Sequence, residues 1–239
     1  MSRRPWIVAV AGVLAASVAP AQFPAENRSV PVLAAKVDGL PLVEVPAQGA
    51  GDTLAVIVTG DGGWASIDKS LGEAFSAAGI PVVGLDSVRY FWKKRDPDEA
   101  GQDLARIARH YLAAWGKEKL LLLGYSSGAD VLPFMANRLP PDLRARVKLV
   151  ALLSPAKQAS FEFHVSQWFS SATRDTKPVM PEVATLAGTK VLCIYGDQET
   201  DTLCPALGAG LAALKQLGGG HHYGGDYRTL AREILKAAE

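Results

Sequence analysis

The fold of this chain is decided by the stretch Lys119-Leu120-Leu121-Leu122-Leu123-Gly124-Tyr125-Ser126-Ser127-Gly128-Ala129-Asp130. Four consecutive leucines before a glycine predict a strand that is buried on both faces. Residues 129–138, which follow the stretch's last glycine, can form a helix. Between strand and helix lies a Gly-x-Ser-x-Gly turn, and this order of elements is typical of a nucleophile elbow.

Such a turn projects its serine hydroxyl at the carboxyl edge of the sheet, so Ser126 is the candidate nucleophile. We expect Gly124 and Gly128 to be required because a Cβ at either position would collide with the neighbouring strand or helix. The backbone N–H of Ser127 would face the same space at a helix N-terminus, which suits an oxyanion. Centring the motif on Ser127 instead would require glycine in place of Tyr125.

Length and composition indicate a soluble globular protein. The chain has 239 residues, of which 49% are hydrophobic and 21% are charged, and this length suits one domain with a sizeable core. The formal net charge is +1, and the sequence contains no basic stripe, so we expect no nucleic-acid partner.

The N-terminus has the features of a secretory signal peptide over residues 1–21. Arg3 and Arg4 precede an apolar run over 6–19, and Ala19-Pro20-Ala21 is a small-x-small cleavage site before Gln22. The apolar run is too short for a good membrane span. We therefore predict a mature domain over 22–239, exported to the periplasm of a Gram-negative cell.

Apolar runs alternate with helical patterns along the rest of the chain. This alternation predicts a mostly parallel sheet with helices on both faces. An opening hairpin is expected from two short β-like runs, 30–37 and 40–45. The predicted buried strands are 54–59, 81–86, 119–123, 147–153 and 190–195, and the predicted helices are 66–78, 97–115, 129–138, 205–215 and 227–238.

A glycine cluster, Gly60-Asp61-Gly62-Gly63, follows the first of these buried strands. Dinucleotide binding is a rival interpretation, but the cluster lacks the third spaced glycine and the acidic residue of that fingerprint. A glycine loop between strand and helix can instead turn backbone N–H groups into a cavity. We predict that Asp61 and Ser127 donate the two N–H groups of an oxyanion hole.

The segment over 154–187 is longer than an average connection and combines aromatic with polar residues. Insertions of this kind often cover an active site, so we expect this one to lie over the elbow. His164, within it, is predicted to be a lid or packing residue rather than a catalyst.

A serine nucleophile needs a base, and the base needs an acid that orients it. In the α/β-hydrolase arrangement these follow in the order Ser, acid, His, each at the carboxyl end of a strand. His221 is the predicted base, with His222 as the alternative. The acid lies in the loop after the 190–195 strand, which holds Asp197, Glu199 and Asp201. Asp201 is preferred because it lies deeper in that loop.

Cys193 and Cys204 flank the acid loop. In an oxidising compartment they could form a disulfide, but Cys193 also fits a buried thiol within a strand; the sequence leaves both open. A zinc site made from the cysteines and the histidine pair fits no common ligand spacing. We predict no metal and no cofactor.

Together these motifs resemble the bacterial virulence proteins of the AcvB/VirJ family, in the single-domain VirJ-like form, over about residues 45–239. The resemblance implies a periplasmic α/β-hydrolase that acts on aminoacylated phosphatidylglycerol, with some members linked to type IV secretion. Asp201-Thr202-Leu203-Cys204 looks like the family's acid motif. The segments that carry the resemblance are Thr59-Gly60-Asp61-Gly62-Gly63-Trp64, the run from Gly84 to Trp92, the run from Gly124 to Phe134, and Gly219-Gly220-His221-His222-Tyr223.

Two functional hypotheses follow. The first is a serine esterase that removes the amino acid from aminoacyl-phosphatidylglycerol at a membrane surface. The ammonium group of that substrate calls for a carboxylate, and the candidates are Asp61, Asp86 and Glu162. The second is a hydrolase-fold adaptor that binds secretion-system proteins through its surface.

Overall fold

The computed structural model describes residues 37–239 except 38, 48, 163–174 and 187. The main sheet has seven strands, which are β1 (Leu42–Val45), β2 (Thr53–Val58), β3 (Val82–Leu85), β4 (Lys119–Tyr125), β5 (Val147–Leu153), β8 (Val191–Gly196) and β9 (Ala213–Leu217). Their order across the sheet is β1-β3-β2-β4-β5-β8-β9. The edge strand β1 is antiparallel to β3, and the other neighbours are parallel.

Helices cover both faces of this sheet, as predicted. α1 and α8 pack against each other on one face, while α3, α4 and α6 form a contiguous layer on the other. The helices are α1 (Ser66–Ala77), α2 (Ser87–Tyr90), α3 (Pro97–Ala114), α4 (Ser127–Asn137), α5 (Pro141–Arg144), α6 (Val179–Thr185), α7 (Cys204–Leu211) and α8 (Tyr227–Ala238).

The four leucines of β4 explain why this strand lies in the middle of the sheet. Leu120 and Leu122 join the apolar cluster on the α3/α4 face, and Leu121 and Leu123 join the cluster on the α1/α8 face. All four are fully buried, and burying a leucine side chain contributes about 1.5–3 kcal/mol. The predicted two-sided burial is confirmed, and it fixes the strand whose end carries Ser126.

The prediction of one helix over 205–215 is wrong. Helix α7 ends at Leu211, and residues 213–217 form β9, which pairs in parallel with β8. Gly208 lies inside α7 with a φ of 64°, in the left-handed region that interrupts a helix. Pairing with β8 then overrides the helix propensity of the residues that follow.

The predicted opening hairpin is only partly within the described residues. Its second run contains β1, which lies at the sheet edge and pairs with β3. Its first run is outside the described residues apart from Val37, and the predicted signal peptide over 1–21 lies outside them entirely. Among the described helices, none combines the length and hydropathy needed to cross a membrane.

The described part of the 154–187 insertion packs beside α4. β6 (Gln158–Ser160) and β7 (Thr176–Pro178) form an antiparallel ribbon, and α6 follows it. Phe161 lies edge-on to Phe91 and Phe134, with ring centroids 5.8 and 5.3 Å away. The residues of the predicted cover that include His164 lie outside the described residues.

Candidate active site

The elbow has the geometry that the sequence predicts. β4 ends at Tyr125, α4 begins at Ser127, and Ser126 between them has φ 53° and ψ −125°. A Cβ on Gly124 would lie 2.5 Å from the carbonyl oxygen of Gly128, and one on Gly128 would lie 2.1 Å from that of Val58. Only glycine fits at both places, and the strained turn holds the Ser126 side chain at the sheet edge.

His221 contacts both its predicted partner and an unexpected one. Its Nε2 lies 2.8 Å from Ser126 Oγ, and its Nδ1 lies 2.7 Å from Glu199 Oε1. An ionised carboxylate only accepts hydrogen bonds, so Nδ1 carries the proton and donates to Glu199. Nε2 of the neutral ring is then the acceptor, and Ser126 O–H donates to it. This is the proton arrangement that a serine nucleophile requires.

Glu199 is held by donors on both of its carboxylate oxygens. Oε2 accepts from Ser154 Oγ at 2.6 Å and from the backbone N–H of Gly196 at 2.7 Å. Burial alone would raise the pKa of Glu199, but hydrogen bonds from Ser154, Gly196 and His221 outweigh it and hold the pKa below its ordinary value. The carboxylate is therefore ionised and fixed beside the imidazole.

Ser154, which donates to Glu199, is held in turn by a contact with the buried residue Tyr223. It follows β5 directly, in a left-handed conformation with φ 52°. The hydroxyl of the buried Tyr223 lies 2.7 Å from Ser154 Oγ and 3.2 Å from the carbonyl oxygen of Ile194. Because Ser154 donates its one proton to Glu199, Tyr223 is the donor to Ser154 Oγ. A chain of contacts thus runs from the core through Ser154 to Glu199.

The prediction that Asp201 orients the histidine is wrong. Asp201 forms an ion pair with Lys157 at 2.9 Å, and its side chain is 88% exposed. Asp197 instead accepts from the N–H of Gly219 at 2.8 Å. The reason is the tight turn after β8: the Glu199 N–H donates to the Gly196 carbonyl at 3.1 Å, which folds the longer glutamate side chain back beneath the strand end.

Of the two histidines, His221 makes the contacts expected of a base, and His222 lies beside it. The hydroxyl of Tyr125 lies 2.8 Å from His222 Nδ1 and 3.2 Å from the carbonyl oxygen of His221. Tyr125 precedes the nucleophile in the chain, so this hydroxyl ties the histidine turn to the elbow. The alternative assignment of His222 as the base is not favoured by these contacts.

Ser126 and His221 line a cavity of about 490 Å³. This volume is typical of small-molecule sites. The glycine loop forms one wall, and a Cβ on Gly60 would lie 3.2 Å from Ser126 Cβ. The backbone N–H groups of Asp61 and Ser127 donate to no other residue of the described chain. This arrangement leaves both N–H groups unused beside the nucleophile, as an oxyanion hole requires.

Of the three candidate carboxylates for the substrate ammonium group, Asp61 lines the cavity, whereas Asp86 and Glu162 lie elsewhere. Asp86 caps α2 by accepting from the N–H of Arg89 at 3.2 Å, and it lies behind Gly63 rather than in the cavity wall. Glu162 lines a separate cavity together with Lys94 and Asp175. Neither residue is brought to the cavity that holds Ser126.

Sequence reasoning missed two residues at this site. Glu199 was one of three acids in the predicted loop, and its position nearer the strand end than Asp201 is the signal by which it could have been found. Asp68, on the first turn of α1, lines the same cavity as Ser126. No motif marks Asp68 in the sequence, because it is a single acid within an ordinary helical pattern.

The cysteine question is decided in favour of a disulfide. Cys193 and Cys204 are bonded, with Cα atoms 5.6 Å apart, and the bridge closes the loop that carries Glu199. Both thiols are therefore used, so the alternative zinc site cannot draw on them. Within the part of the chain that the structure describes, there is no cluster of three or more metal-ligating side chains.

Solved structures with this fold are numerous, and the three described below share little sequence with the chain. Est1E from Butyrivibrio proteoclasticus has a TM-score of 0.62 at 13% identity, covering 86% of this chain and 96% of its own. The thioesterase domain from the curacin biosynthetic pathway has a TM-score of 0.56 at 15% identity, covering 86% and 99%. An esterase domain from a Rhodothermus marinus protein has a TM-score of 0.57 at 14% identity, covering 83% and 91%. These likenesses show the α/β-hydrolase fold.

Comparison with curated proteins finds no significant match. The family profile described as bacterial virulence protein (VirJ), in contrast, matches residues 52–239, which is most of the chain and includes the elbow, the Glu199 loop and the histidine turn. The chain therefore belongs to the VirJ family of bacterial virulence proteins.

Proposed function

We propose that the protein is a serine hydrolase of carboxylic esters, and that it removes the aminoacyl group from aminoacyl-phosphatidylglycerol. The observation that carries this proposal is the contact of one imidazole with Ser126 on one side and Glu199 on the other. The thioesterase and esterase domains among the structural relatives support the reaction class. The substrate follows from the resemblance to the AcvB/VirJ family.

In the first half of the reaction, Ser126 Oγ attacks the aminoacyl carbonyl while His221 Nε2 accepts the hydroxyl proton. Glu199 remains ionised and stabilises the imidazolium that forms. The oxyanion accepts hydrogen bonds from the backbone N–H groups of Asp61 and Ser127. When the tetrahedral intermediate collapses, His221 returns the proton to the departing alcohol oxygen of phosphatidylglycerol, and the amino acid stays esterified to Ser126.

In the second half, water takes the place of the alcohol. His221 accepts one proton from the water as its oxygen attacks the acyl-serine carbonyl, and then returns that proton to Ser126 Oγ. The products are the free amino acid and the regenerated serine. No step requires a metal or a cofactor.

The proposal places this chemistry in the periplasm, at the outer face of the inner membrane. The signal-peptide pattern over residues 1–21 supports export. A substrate whose polar head group lies at the membrane surface would present its ester to the open side of the cavity, where the His221 ring is exposed.

The test is Ser126→Ala, assayed by release of free amino acid from aminoacyl-phosphatidylglycerol vesicles and by labelling with a fluorophosphonate probe. We expect the rate to fall by about 10³-fold or more. The remaining rate enhancement would come only from substrate binding and the oxyanion hydrogen bonds. The thermal unfolding of the variant should match that of the wild type, because removing one oxygen leaves the glycine-determined turn unchanged.

Undiminished hydrolysis by Ser126→Ala would reject the serine mechanism. Labelling and cleavage of simple esters without cleavage of the lipid would keep the hydrolase and reject the substrate. A wild-type protein that is neither labelled nor active would leave the adaptor hypothesis, in which the fold binds secretion-system proteins.

A further inference from the structure

The cavity that holds Ser126 has a buried carboxylate in its wall, Asp68. It belongs to the first turn of α1 and is only 1% exposed. Its Oδ2 accepts from the backbone N–H of Ala65 at 3.1 Å. Its Oδ1 is buried and has no hydrogen-bond partner in the described part of the chain.

Helix capping does not account for this burial. An acidic residue in the first turn stabilises a helix N-terminus equally well from the surface, where water solvates its second oxygen. Asp68 loses that solvation without a replacement, which is unfavourable for a charged group. The pKa of Asp68 is raised to about 7, mainly by burial and in small part by the nearby charge of Asp86, against the lowering effect of the backbone hydrogen bond from Ala65.

The rest of the cavity wall favours a positive ligand. Asp61 adds a second carboxylate, and Tyr125 and Tyr227 add aromatic rings, which attract cations over their faces. Among the described residues that line this cavity there is no lysine or arginine. A ligand with a cationic group would give Asp68 Oδ1 the partner that it lacks among the described residues. An anionic group would be repelled by the negative charge of Asp68.

We propose that Asp68 is the residue that binds the ammonium group of the substrate and so makes the site specific for amino-acid esters. The inference rests on the proposed ester hydrolysis and assigns its recognition point. In an aminoacyl ester the α-ammonium nitrogen is two bonds from the carbonyl carbon, so both groups must fit in the one cavity that Ser126 and Asp68 line. Asp68 thereby replaces Asp86 and Glu162, which lie outside that cavity.

The kinetic test compares two esters of the same amino acid, one with a cationic and one with an acylated, neutral amine: L-alanine naphthyl ester and its N-acetyl derivative. We expect Asp68→Asn to lower kcat/KM for the free-amine ester by about 10–100-fold and to change that for the N-acetyl ester by less than about 2-fold. Glu73→Gln, which removes a charge from an exposed site on the same helix, is the matched control and should keep the preference. Asp61→Asn tests the other carboxylate of the cavity.

The binding test needs no turnover. In the Ser126→Ala background, L-alaninamide should bind at least about 10-fold more tightly than N-acetyl-L-alaninamide by calorimetry, and adding Asp68→Asn should abolish the difference. Circular dichroism checks that each variant is folded. If Asp68→Asn does not fold, Asp68→Glu, which keeps the charge but moves it by one methylene, should still reduce kcat/KM for the free-amine ester alone.

The outcomes separate the two proposals. Preferential binding of the amide cation without ester hydrolysis would support the role of Asp68 and reject the proposed function. Equal loss on both esters would mean that Asp68 is structural, and loss on Asp61→Asn but not Asp68→Asn would move the recognition point to Asp61. Either of these results, or a wild type that prefers neither charge, would overturn the inference.

Discussion

The fold surrounds two carboxylates of the site in opposite ways: Glu199, which contacts His221, and Asp68, which lines the Ser126 cavity. Glu199, after β8, receives hydrogen bonds on both oxygens from a hydroxyl, a backbone N–H and an imidazole. Asp68, on α1, has a backbone N–H on one oxygen and no partner for the other within the described residues. The surroundings lower the pKa of Glu199 and raise that of Asp68 to about 7.

This difference divides the site into two sides. On the completed side, around Glu199, both carboxylate oxygens have partners; on the incomplete side, around Asp68, one oxygen has none among the described residues. Around Glu199 the protein supplies every partner that the charge needs, so this side stabilises the fold and is preorganised for proton transfer. Around Asp68 only one carboxylate oxygen has a partner among the described residues, so burial of the charge is incompletely compensated and costs stability until something binds. Buried charge without a partner is the kind of local cost that proteins retain at functional sites.

The largest expected effect is a loss of activity when Glu199, on the completed side, is replaced. Glu199→Gln should lower kcat/KM about 10³–10⁴-fold, because an amide that donates to His221 Nδ1 places the ring proton on Nε2, where it cannot accept from Ser126. If the amide turns the other way, its NH₂ group faces the N–H of Gly196, and two donors then oppose each other without an acceptor. The measurement is ester hydrolysis at saturating and limiting substrate.

Asp201→Asn is the control for that experiment. Among the described residues its exposed side chain pairs only with Lys157, so activity should stay within about 2-fold of the wild type, in keeping with the small value of exposed ion pairs. Loss of activity in Asp201→Asn together with full activity in Glu199→Gln would reverse the assignment of the acid.

The next largest effect is a pH-dependent change in the free energy of unfolding when Asp68, on the incomplete side, is replaced. An acid whose folded-state pKa is raised binds its proton more tightly when folded, so its contribution becomes destabilising as pH rises from about 4 to about 7. Asp68→Asn keeps an acceptor for Ala65 N–H and removes this cost. Its free energy of unfolding should exceed that of the wild type by on the order of 2–4 kcal/mol at pH 8.

That gain should vanish below about pH 4, where Asp68 is protonated in the folded and unfolded states alike. Urea unfolding of both proteins at pH 4 and pH 8 measures the difference. Glu73→Gln should change the free energy of unfolding by less than about 0.5 kcal/mol at either pH. A wild type as stable as Asp68→Asn at pH 8 would show that the Asp68 carboxylate is compensated in solution.

The smallest expected effect comes from the covalent closure of the Glu199 loop. Replacing Cys193 and Cys204 by serine should lower the free energy of unfolding by about 2–3 kcal/mol, because the unfolded chain regains the freedom of the closed loop. Activity should fall less than in Glu199→Gln, since the hydrogen bonds to Glu199 remain. Complete alkylation of both thiols in unreduced, denatured wild-type protein would contradict the bridge.

Local signals were sufficient for much of the fold and for half of the site. The leucine run, the elbow glycines and the histidine turn each depend on chemistry within a few residues of one another, so the sequence alone places Ser126 at the end of a buried strand. Strand β9 was missed because Ala213–Leu217 owes its conformation to pairing with β8. Its own residues carry no strong strand preference.

The sequence by itself therefore determined the mostly parallel sheet except β9, the nucleophile, and the order in which acid and base follow it. Only the tertiary structure decided which acid reaches His221, because the turn after β8 directs Glu199 inward and leaves Asp201 on the surface. It alone brought Asp68 from a distant helix into the wall of the Ser126 cavity. Burial and hydrogen-bond partners are properties of the folded chain, and they give otherwise similar carboxylates different pKa values and different tasks.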